Sequence, residues 1–360
     1  MQCTQPGETL AEFMVRAFMR RRLYEKRYVI LPGEIGQANG IEALLRCKKS
    51  ITRREPGMNN SKTFRGAVVP LVTPVTAAGE LDEASLDKLI DFQLAGRVEG
   101  LFVLGTTGEG PSVPRASRLK MVERVVARVR NRALVYAGIG DTCLADSLHS
   151  AKQYFQAGVD VVVAQPPVYF PLQPHELLAY FKSLLEQLPG PLIIYNIPVT
   201  TRVSIPLDSV GQLKGHPRLV GMKDSENDPR RLEELIKRFG DDSDFSIFIG
   251  VGAFMAQGVK LGAAGIVPGV GNLIPDVCHE LCASAARGDW TEAERHAGRM
   301  KEVAELCQKG RTLGQSLAAL KAALHLKGLC NPHVLPPLVP LPREEHERLR
   351  SDMRQLRLLD

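Results

Sequence analysis

The chain has 360 residues, which is enough for one large α/β domain and a smaller appendage. Its formal charge of +6 is concentrated near the amino terminus, where residues 1–58 hold eleven Lys and Arg against six Glu. The rest of the chain is close to neutral, which argues against a nucleic-acid partner. No apolar run reaches the ~18 residues that a membrane span requires, so no membrane association is expected.

Residues 1–57 have a pattern of their own. Short apolar patches alternate with basic clusters such as Arg20–Arg22, and neither a helical nor a strand period persists. Met58 begins a stretch that is typical of a natural start. We therefore predict that residues 1–63 are an N-terminal extension, disordered or upstream of the true start, rather than a functional arm.

From Phe64 onward, short apolar runs alternate with amphipathic segments of helical length. The runs are apolar throughout rather than alternating with polar residues, which is typical of strands buried on both faces of a parallel sheet. Eight strands are predicted: Ala67–Val72, Leu101–Leu104, Ala133–Ala137, Val159–Ala164, Leu192–Tyr195, Leu219–Met222, Phe245–Ile249 and Gly265–Val267.

Helices are predicted between these strands, and eight βα units in about 225 residues are the size of a closed barrel. An open doubly wound sheet would show a glycine-rich turn after its first strand, where this chain has Thr73 and Pro74. The fold prediction is an α/β protein with a (β/α)₈ TIM barrel over residues 64–288. Amphipathic segments after Asp289 predict a C-terminal helical domain over residues 289–360. The predicted helices include Glu83–Leu94, Pro114–Val129, Pro174–Gln187, Pro229–Phe239, Ala253–Lys260, Pro275–Arg287, Trp290–Gln308, Leu313–Leu326 and Pro342–Leu358.

Cysteine and histidine patterns indicate neither disulfides nor a metal. The seven cysteines are scattered without a CxxC, which fits a reducing, cytoplasmic location. Cys278 and Cys282 are one helical turn apart and could share a metal, but packing cysteines are favoured.

Catalytic groups of a barrel of this kind follow the strands. After the second strand, the turn Leu104–Gly110 (LGTTGEG) carries the hydroxyls of Thr106 and Thr107 between glycines that permit close backbone approach. Such a turn suits a carboxylate or a phosphate, although a plain helix-capping turn is equally compatible.

Lys223 directly follows the apolar run of the sixth strand and should project into or over the barrel interior. A desolvated lysine amine is neutral and can attack a ketone to form a Schiff base. A salt bridge to Asp224 or Glu109 is the alternative explanation of this lysine.

Two tyrosines also follow strands. Tyr195 closes the fifth strand, where its hydroxyl could shuttle protons or only satisfy a buried hydrogen bond. Tyr169 is presented by a proline-containing loop after the fourth strand, where it could equally be a packing aromatic. Glycine turns at Gly250–Gly252 and Gly269–Gly271 could approach a phosphate or a carboxylate, but they lack a dinucleotide fingerprint.

Four motifs in order carry a resemblance to a known family: VTP after strand 1, GTTGE after strand 2, YNIP on strand 5 and GMKD on strand 6. Together they make the chain similar to the dihydrodipicolinate synthase / N-acetylneuraminate lyase family of class I pyruvate lyases. The similarity runs from about Phe64 to about Leu326.

The resemblance implies a role for each matching residue. Lys223 would form an imine with the 2-oxo carbon of pyruvate, so no separate cofactor is expected. Thr107, aided by Thr106, would bind the carboxylate, and Val267 would lie near the pyruvate through its backbone. Tyr195 would shuttle protons.

The family also implies an assembly. Thr106 would connect Tyr195 to Tyr169 in a hydroxyl relay. In many relatives the tyrosine at the position of Tyr169 reaches into a neighbouring subunit, so a homodimer or homotetramer is expected.

One departure from the family concerns the second substrate. Lysine-pathway synthases carry an arginine two residues after the proline of the YNxP motif, and Thr200 stands there in this chain. Arg202 would point to the other face if the strand continued. We therefore predict a lyase of aldolase or dehydratase type acting on pyruvate or a related 2-oxo acid, such as a sugar acid. The alternative is 4-hydroxy-tetrahydrodipicolinate synthase, which condenses pyruvate with aspartate semialdehyde.

Two further classes compete with this prediction. A phosphosugar isomerase would need a carboxylate base at a strand end, where Glu109 is the one weak candidate. A sensor that kept only the fold would have no need of the nucleophile Lys223, which argues against that class.

Overall fold

Eight parallel strands close on themselves in chain order, from β1 to β8 and back to β1. The computed structural model describes residues 64–359, and the predicted extension over residues 1–63 lies outside the described residues. The strands are β1 (Gly66–Pro70), β2 (Gly100–Val103), β3 (Leu134–Gly138), β4 (Val161–Ala164), β5 (Leu192–Asn196), β6 (Leu219–Asp224), β7 (Ser246–Ile249) and β8 (Gly265–Ile266). The predicted (β/α)₈ barrel is confirmed.

Helices follow the strands and cover the outside of the barrel. In the barrel they are α1 (Glu83–Ala95), α2 (Arg115–Val129), α3 (Leu144–Ala157), α4 (Pro174–Gln187), α5 (Pro198–Thr201), α6 (Leu207–Leu213), α7 (Pro229–Phe239), α8 (Met255–Leu261) and α9 (Pro275–Ala286). Local sequence explains several starts: Asp82 caps α1 by accepting the Ser85 N–H at 3.0 Å, and proline occupies the first position of α4 and α7.

The apolar side chains form two layers. One lies between the sheet and the helices, and it includes Leu101, Ile194 and Met222. The other fills the inside of the barrel, where Tyr195 and Val267 belong to it. A packed interior leaves the ends of the strands as the place where a small molecule can bind.

Three helices follow the barrel, as predicted: α10 (Trp290–Gln308), α11 (Leu313–Leu326) and α12 (Arg343–Gln355). Helix α10 packs against α9, and α11 packs against α10 and α12. A capping box between Thr312 and Gln315 begins α11. Among residues 64–359, no helix is both long enough and apolar enough to cross a membrane.

Candidate active site

The ends of β5 and β6 place a lysine beside a tyrosine inside the barrel. Tyr195 and Lys223 are partners in the parallel register of these two strands. The Lys223 side chain is buried, with the residue 6% exposed, and its Nζ lies 3.8 Å from the centroid of the Tyr195 ring. The Phe102 ring lies on another side, at 5.1 Å from Nζ. The amine is therefore held among aromatic faces at the mouth of the barrel.

The salt-bridge explanation of Lys223 is wrong. Among residues 64–359, no carboxylate lies within 4.0 Å of its Nζ. The two acids that were candidates are engaged elsewhere, since Asp224 pairs with Arg231 and Glu109 pairs with Lys321. A lysine that is buried without a counter-ion is the kind of group that serves as a nucleophile.

Gly250, at the end of β7, makes room for this lysine. A Cβ at position 250 would lie 2.0 Å from the Ser225 hydroxyl oxygen and 3.2 Å from Cε of Lys223. The glycine predicted to approach a phosphate or a carboxylate thus has a packing role toward the candidate nucleophile.

A polar network fixes the ends of β5 and β6 from behind. Asn196 Nδ2 donates to Asp224 Oδ2 at 3.1 Å and to Glu226 Oε2 at 2.8 Å. Arg231 Nε lies 2.8 Å from the same Asp224 oxygen, and its Nη2 donates to the Ile205 carbonyl at 2.9 Å. Burial raises the pKa of Asp224, and the charge of Arg231 opposes that rise. Because Asn196 and Asp224 directly follow Tyr195 and Lys223, this network sets the spacing of the two strand ends.

The GTTGE turn after β2 is held on several sides. The Thr73 hydroxyl donates to the Gly108 carbonyl at 2.5 Å, and the Glu109 N–H donates to the Thr106 carbonyl at 3.0 Å. A Cβ on Gly108 would lie 2.8 Å from the Leu71 carbonyl oxygen, so the turn tolerates no side chain there. These contacts hold the turn in a single backbone conformation.

The hydroxyls of this turn are available to a ligand. Thr106 and Thr107 are half-buried, and among residues 64–359 neither hydroxyl has a hydrogen-bond partner. The Thr107 oxygen lies 3.9 Å from where a Cβ of Gly269 would be, so it faces the loop after β8. A rigid turn with two free hydroxyls can bind a carboxylate at the barrel mouth, because both hydroxyls can donate hydrogen bonds to its oxygens.

Val267 shares its surroundings with the lysine. It is buried just after β8, where its N–H donates to the Ile249 carbonyl at 2.9 Å. A small cavity in the barrel is lined by Val267, Lys223, Phe102 and Phe248, among others. The predicted neighbour of the pyruvate thus lies in the same cavity as the candidate nucleophile.

Tyr169 lies apart from the other predicted residues. Its side chain is 88% exposed, with φ of 94°, and its ring packs edge-on against Phe170 at 5.0 Å. Among residues 64–359, no hydrogen bond links Tyr169, Thr106 and Tyr195. Within one chain the hydroxyl relay is not formed, and it stays a prediction.

The segment after the YNIP motif, where lysine-pathway synthases carry an arginine, does not continue as a strand. Strand β5 ends at Asn196 and a helical turn, α5, follows, so Arg202 does not continue a strand. Arg202 is an exposed residue with φ of 60° at the end of this turn, and Thr200 donates to the Ile197 carbonyl at 3.2 Å. The alternation argument for Arg202 depended on a continuing strand, and it does not apply because the chain turns after Asn196.

Cys278 and Cys282 lie in a packed helix. Burial raises the pKa of both thiols, which disfavours the thiolate that binds a metal. Among residues 64–359, no group of three or more His, Cys, Asp or Glu side chains is placed to hold a metal ion.

Comparison with known proteins agrees with this geometry. The profile of the Dihydrodipicolinate synthetase family matches residues 63–356. The chain belongs to this family. The resemblance seen in the four motifs is therefore confirmed, and the protein is a class I, Schiff-base pyruvate lyase by family.

Members of the dihydrodipicolinate synthetase family match over nearly their whole length. A 4-hydroxy-tetrahydrodipicolinate synthase of Pseudomonas aeruginosa is 31% identical over 294 residues, which is 82% of this chain and 99% of the relative. The synthase of Thioalkalivibrio sulfidiphilus is 30% identical over 288 residues, or 80% of this chain and 96% of the relative.

Solved structures of the family share the fold. Dihydrodipicolinate synthase from Bacteroides thetaiotaomicron is 32% identical, with a TM-score of 0.77 over 81% of this chain and 98% of that chain. A prophage protein of the dihydrodipicolinic acid synthase family from E. coli K12, solved in complex with pyruvate, is 26% identical with a TM-score of 0.77. That match covers 82% of this chain and 99% of the other.

Residues outside the four motifs support the site, and sequence reasoning missed them. Arg231 stands seven residues after Asp224, and Lys321 lies in the Ala- and Leu-rich helix α11. A lysine within an apolar helical run indicates a buried charge that needs a partner of opposite charge. The sequence of the run does not identify that partner.

Proposed function

We propose that this enzyme forms an imine between Lys223 and pyruvate or a related 2-oxo acid, and makes or breaks a bond to the adjacent carbon. The observation that carries this is the buried Lys223 amine, 3.8 Å from the Tyr195 ring centroid and without a carboxylate partner among residues 64–359. Burial among the Tyr195 and Phe102 rings directs the amine into the barrel, where it can meet the 2-oxo carbon of a bound substrate.

The proposed chemistry uses a lysine amine, a tyrosine phenol and the carboxylate-binding turn. The Lys223 nitrogen adds to the 2-oxo carbon, and loss of water gives an iminium that draws electrons from the neighbouring carbon. That carbon then loses a proton and becomes an enamine, the nucleophile of an aldol addition; the reverse sequence cleaves the bond. Tyr195 carries the protons, since one phenol oxygen can both donate and accept. Thr107 and Thr106 hold the carboxylate, Val267 lies alongside, and no separate cofactor takes part.

Reductive trapping tests the proposal. Pyruvate and borohydride would convert the imine to a stable secondary amine, and peptide mass spectrometry would locate it. We expect the added mass on Lys223 alone. A label on another lysine, or none after pyruvate saturation, would overturn the assignment.

We propose an aldolase or dehydratase that does not require an aspartate semialdehyde partner. Thr200 stands where an arginine would hold a second carboxylate, and Arg202 lies exposed after the α5 turn. Screening release of pyruvate from a panel of 2-oxo sugar acids is expected to give a substrate.

The relatives named 4-hydroxy-tetrahydrodipicolinate synthase favour a second candidate function, condensation of pyruvate with aspartate semialdehyde. A coupled assay with both substrates distinguishes the two. Turnover at a rate of about 1–10³ s⁻¹, usual for enzymes, would establish the synthase and refute our preference.

We propose that the chain works as a dimer or a dimer of dimers in the cytoplasm. Tyr169 is 88% exposed and the adjacent Phe170 is 63% exposed, which is costly unless another surface covers them. The seven cysteines are scattered along the sequence without a CxxC, a pattern typical of a reducing compartment. Light scattering should give twice or four times the chain mass, and replacement of both aromatics by Ser should lower it. A monomeric wild-type enzyme with full activity would contradict the assembly.

A further inference from the structure

A fully buried ion pair joins the C-terminal helices to the GTTGE turn. Lys321 lies in the middle of α11, and its side chain is 1% exposed. Its Nζ is 2.5 Å from Oε1 of Glu109, whose side chain is also 1% exposed. The two residues are 212 positions apart in the sequence, so the contact exists only because α11 packs against the mouth of the barrel.

Both charged groups have further partners from the connector between α11 and α12. The second Glu109 oxygen, Oε2, accepts the Leu335 N–H at 2.6 Å. The Lys321 ammonium donates to the His333 carbonyl at 2.8 Å. Burial lowers the pKa of Lys321, whereas the nearby Glu109 carboxylate raises it. Among residues 64–359, Lys321 is the one cation within 4.0 Å of Glu109.

Glu109 belongs to the same turn as the hydroxyls that would bind the substrate. Thr106 and Thr107 precede it by three and two residues, and the Glu109 N–H donates to the Thr106 carbonyl. A carboxylate buried there without a counter-ion would repel an incoming carboxylate through a medium of low polarity. It would also lose the partner that fixes its position.

We propose that Lys321 is a positioning residue for substrate binding: it neutralises and fixes Glu109, and so keeps the GTTGE turn able to accept a carboxylate. The C-terminal helices thereby contribute to a site whose other residues all come from the barrel. This inference rests on the proposed function, because it assumes that the turn binds the carboxylate of the 2-oxo acid.

The test measures pyruvate binding through reductive trapping of Lys223, which needs no second substrate. In Lys321→Met, the pyruvate concentration for half-maximal trapping should rise by about tenfold or more, because the buried Glu109 carboxylate in the substrate-binding turn is then unpaired. The limiting trapping rate should change by less than roughly threefold, since Lys223 and Tyr195 keep their places. Lys301→Met, on the exposed surface of α10, is the matched control and should leave both values unchanged.

Glu109→Gln separates a charge effect from a structural one. Gln keeps an acceptor for the Leu335 N–H but removes the negative charge, so half-saturation should stay the same or fall. The double variant Glu109→Gln/Lys321→Met is electrically balanced and should return to within roughly threefold of the wild type. A merely structural pair would instead weaken binding in both single variants, with no recovery in the double.

The outcomes are distinct. If wild-type Lys223 is trapped but Lys321→Met binds pyruvate normally, the role of Lys321 is refuted while the proposed function stands. If Lys321→Met cannot be purified, the test uses the double variant Glu109→Gln/Lys321→Met. A tenfold loss of pyruvate binding in the double variant refutes the charge argument. If the wild type itself is not trapped, the proposed function fails and this inference fails with it.

Discussion

Tyr195 and Lys223 face each other because β6 carries one extra residue. Leu192 pairs with Leu219, but the next residue of β5, Ile193, pairs with Gly221, so the register shifts between them. The shift changes which β6 side chains point inward: Val220 belongs to the inner apolar layer, whereas Met222 belongs to the outer one. Without this bulge, strict alternation from Val220 would direct Lys223 toward the helices.

The phenol of Tyr195 should matter for chemistry more than for binding. Tyr195→Phe keeps the ring beside the Lys223 amine and removes only the hydroxyl. We expect imine formation to slow by about 10²–10⁴-fold, as for loss of a general acid–base group, with little change in pyruvate half-saturation. Stopped-flow or quenched trapping measures the rate.

Tyr136→Phe is the matched control for Tyr195→Phe. Tyr136 also lies inside the barrel, in edge contact with Phe64, and its buried hydroxyl has no hydrogen-bond partner among residues 64–359. Removing that hydroxyl should leave trapping unchanged and stability equal or higher. Equal trapping rates in the Tyr195 and Tyr136 variants would rule out the proton-shuttle role.

The Thr107 hydroxyl should contribute mainly to affinity. Thr107→Val preserves shape and removes a donor to the substrate carboxylate, and a hydrogen bond to a charged group contributes about 1.5–3 kcal/mol. We expect half-saturation by pyruvate to rise by at least tenfold, at a limiting trapping rate close to wild type. Thr291→Val, on the exposed face of α10, serves as the control. An unchanged half-saturation in the Thr107 variant would mean that another group holds the carboxylate.

Arg231 should be a major contributor to stability. Its side chain is 10% exposed and it pairs with Asp224 and Glu226, so Arg231→Met leaves two carboxylates without their cation. Loss of one partner of a buried pair costs about 3–5 kcal/mol. Urea denaturation should show this loss, whereas the exposed Arg230→Met should stay within about 0.5 kcal/mol of wild type. A deficit below about 1 kcal/mol would show that water or rearrangement replaces the guanidinium.

The Arg231 deficit should depend on pH. Burial raises the pKa of Asp224 above 3.8 even with Arg231 present, and removing the cation raises that pKa further. A carboxyl whose pKa is raised by folding favours the native state at low pH, and that contribution is lost as pH rises through the folded-state pKa. The deficit of Arg231→Met should therefore be larger at about pH 8 than at about pH 5. A deficit that grows on acidification would contradict this assignment of the Asp224 pKa.

Much of the fold could be predicted because apolar runs bounded by polar turns define buried strands. The predicted strand Leu101–Leu104 is β2, shifted by one residue, and helix Leu313–Leu326 has the bounds that the structure gives it. The inward direction of Lys223 was predicted, but the bulge in β6 that produces it was not, because a strand that is apolar on both faces carries no alternation to reveal a bulge. The ion-pair partner of Glu109 could not be predicted either, because the pairing depends on how α11 packs against the barrel rather than on any local sequence pattern.

The cap of α1 gives a test that is independent of the active site. The Ser85 hydroxyl and N–H both donate to the Asp82 carboxylate, and Asn331 Nδ2 adds a bond at 3.2 Å. Burial raises the pKa of Asp82, but these hydrogen bonds outweigh it, and the net shift is downward from 3.8. Asp82→Ala should cost about 1 kcal/mol at neutral pH, while Asp82→Asn, which can still cap the helix, should lose less.

The pH dependence of the Asp82 variants distinguishes a charged cap from a neutral one. A carboxyl whose pKa is lowered by folding stabilises the native state above its unfolded-state pKa, and that contribution disappears as pH falls through the folded-state pKa. The difference between wild type and Asp82→Asn should therefore shrink as the pH is lowered from about 7 to about 3, because protonation makes the wild-type cap neutral too. Chemical denaturation at both pH values measures it. A difference that stays constant across this range would mean that the charge of Asp82 contributes nothing, and that the cap acts through its hydrogen-bond geometry alone.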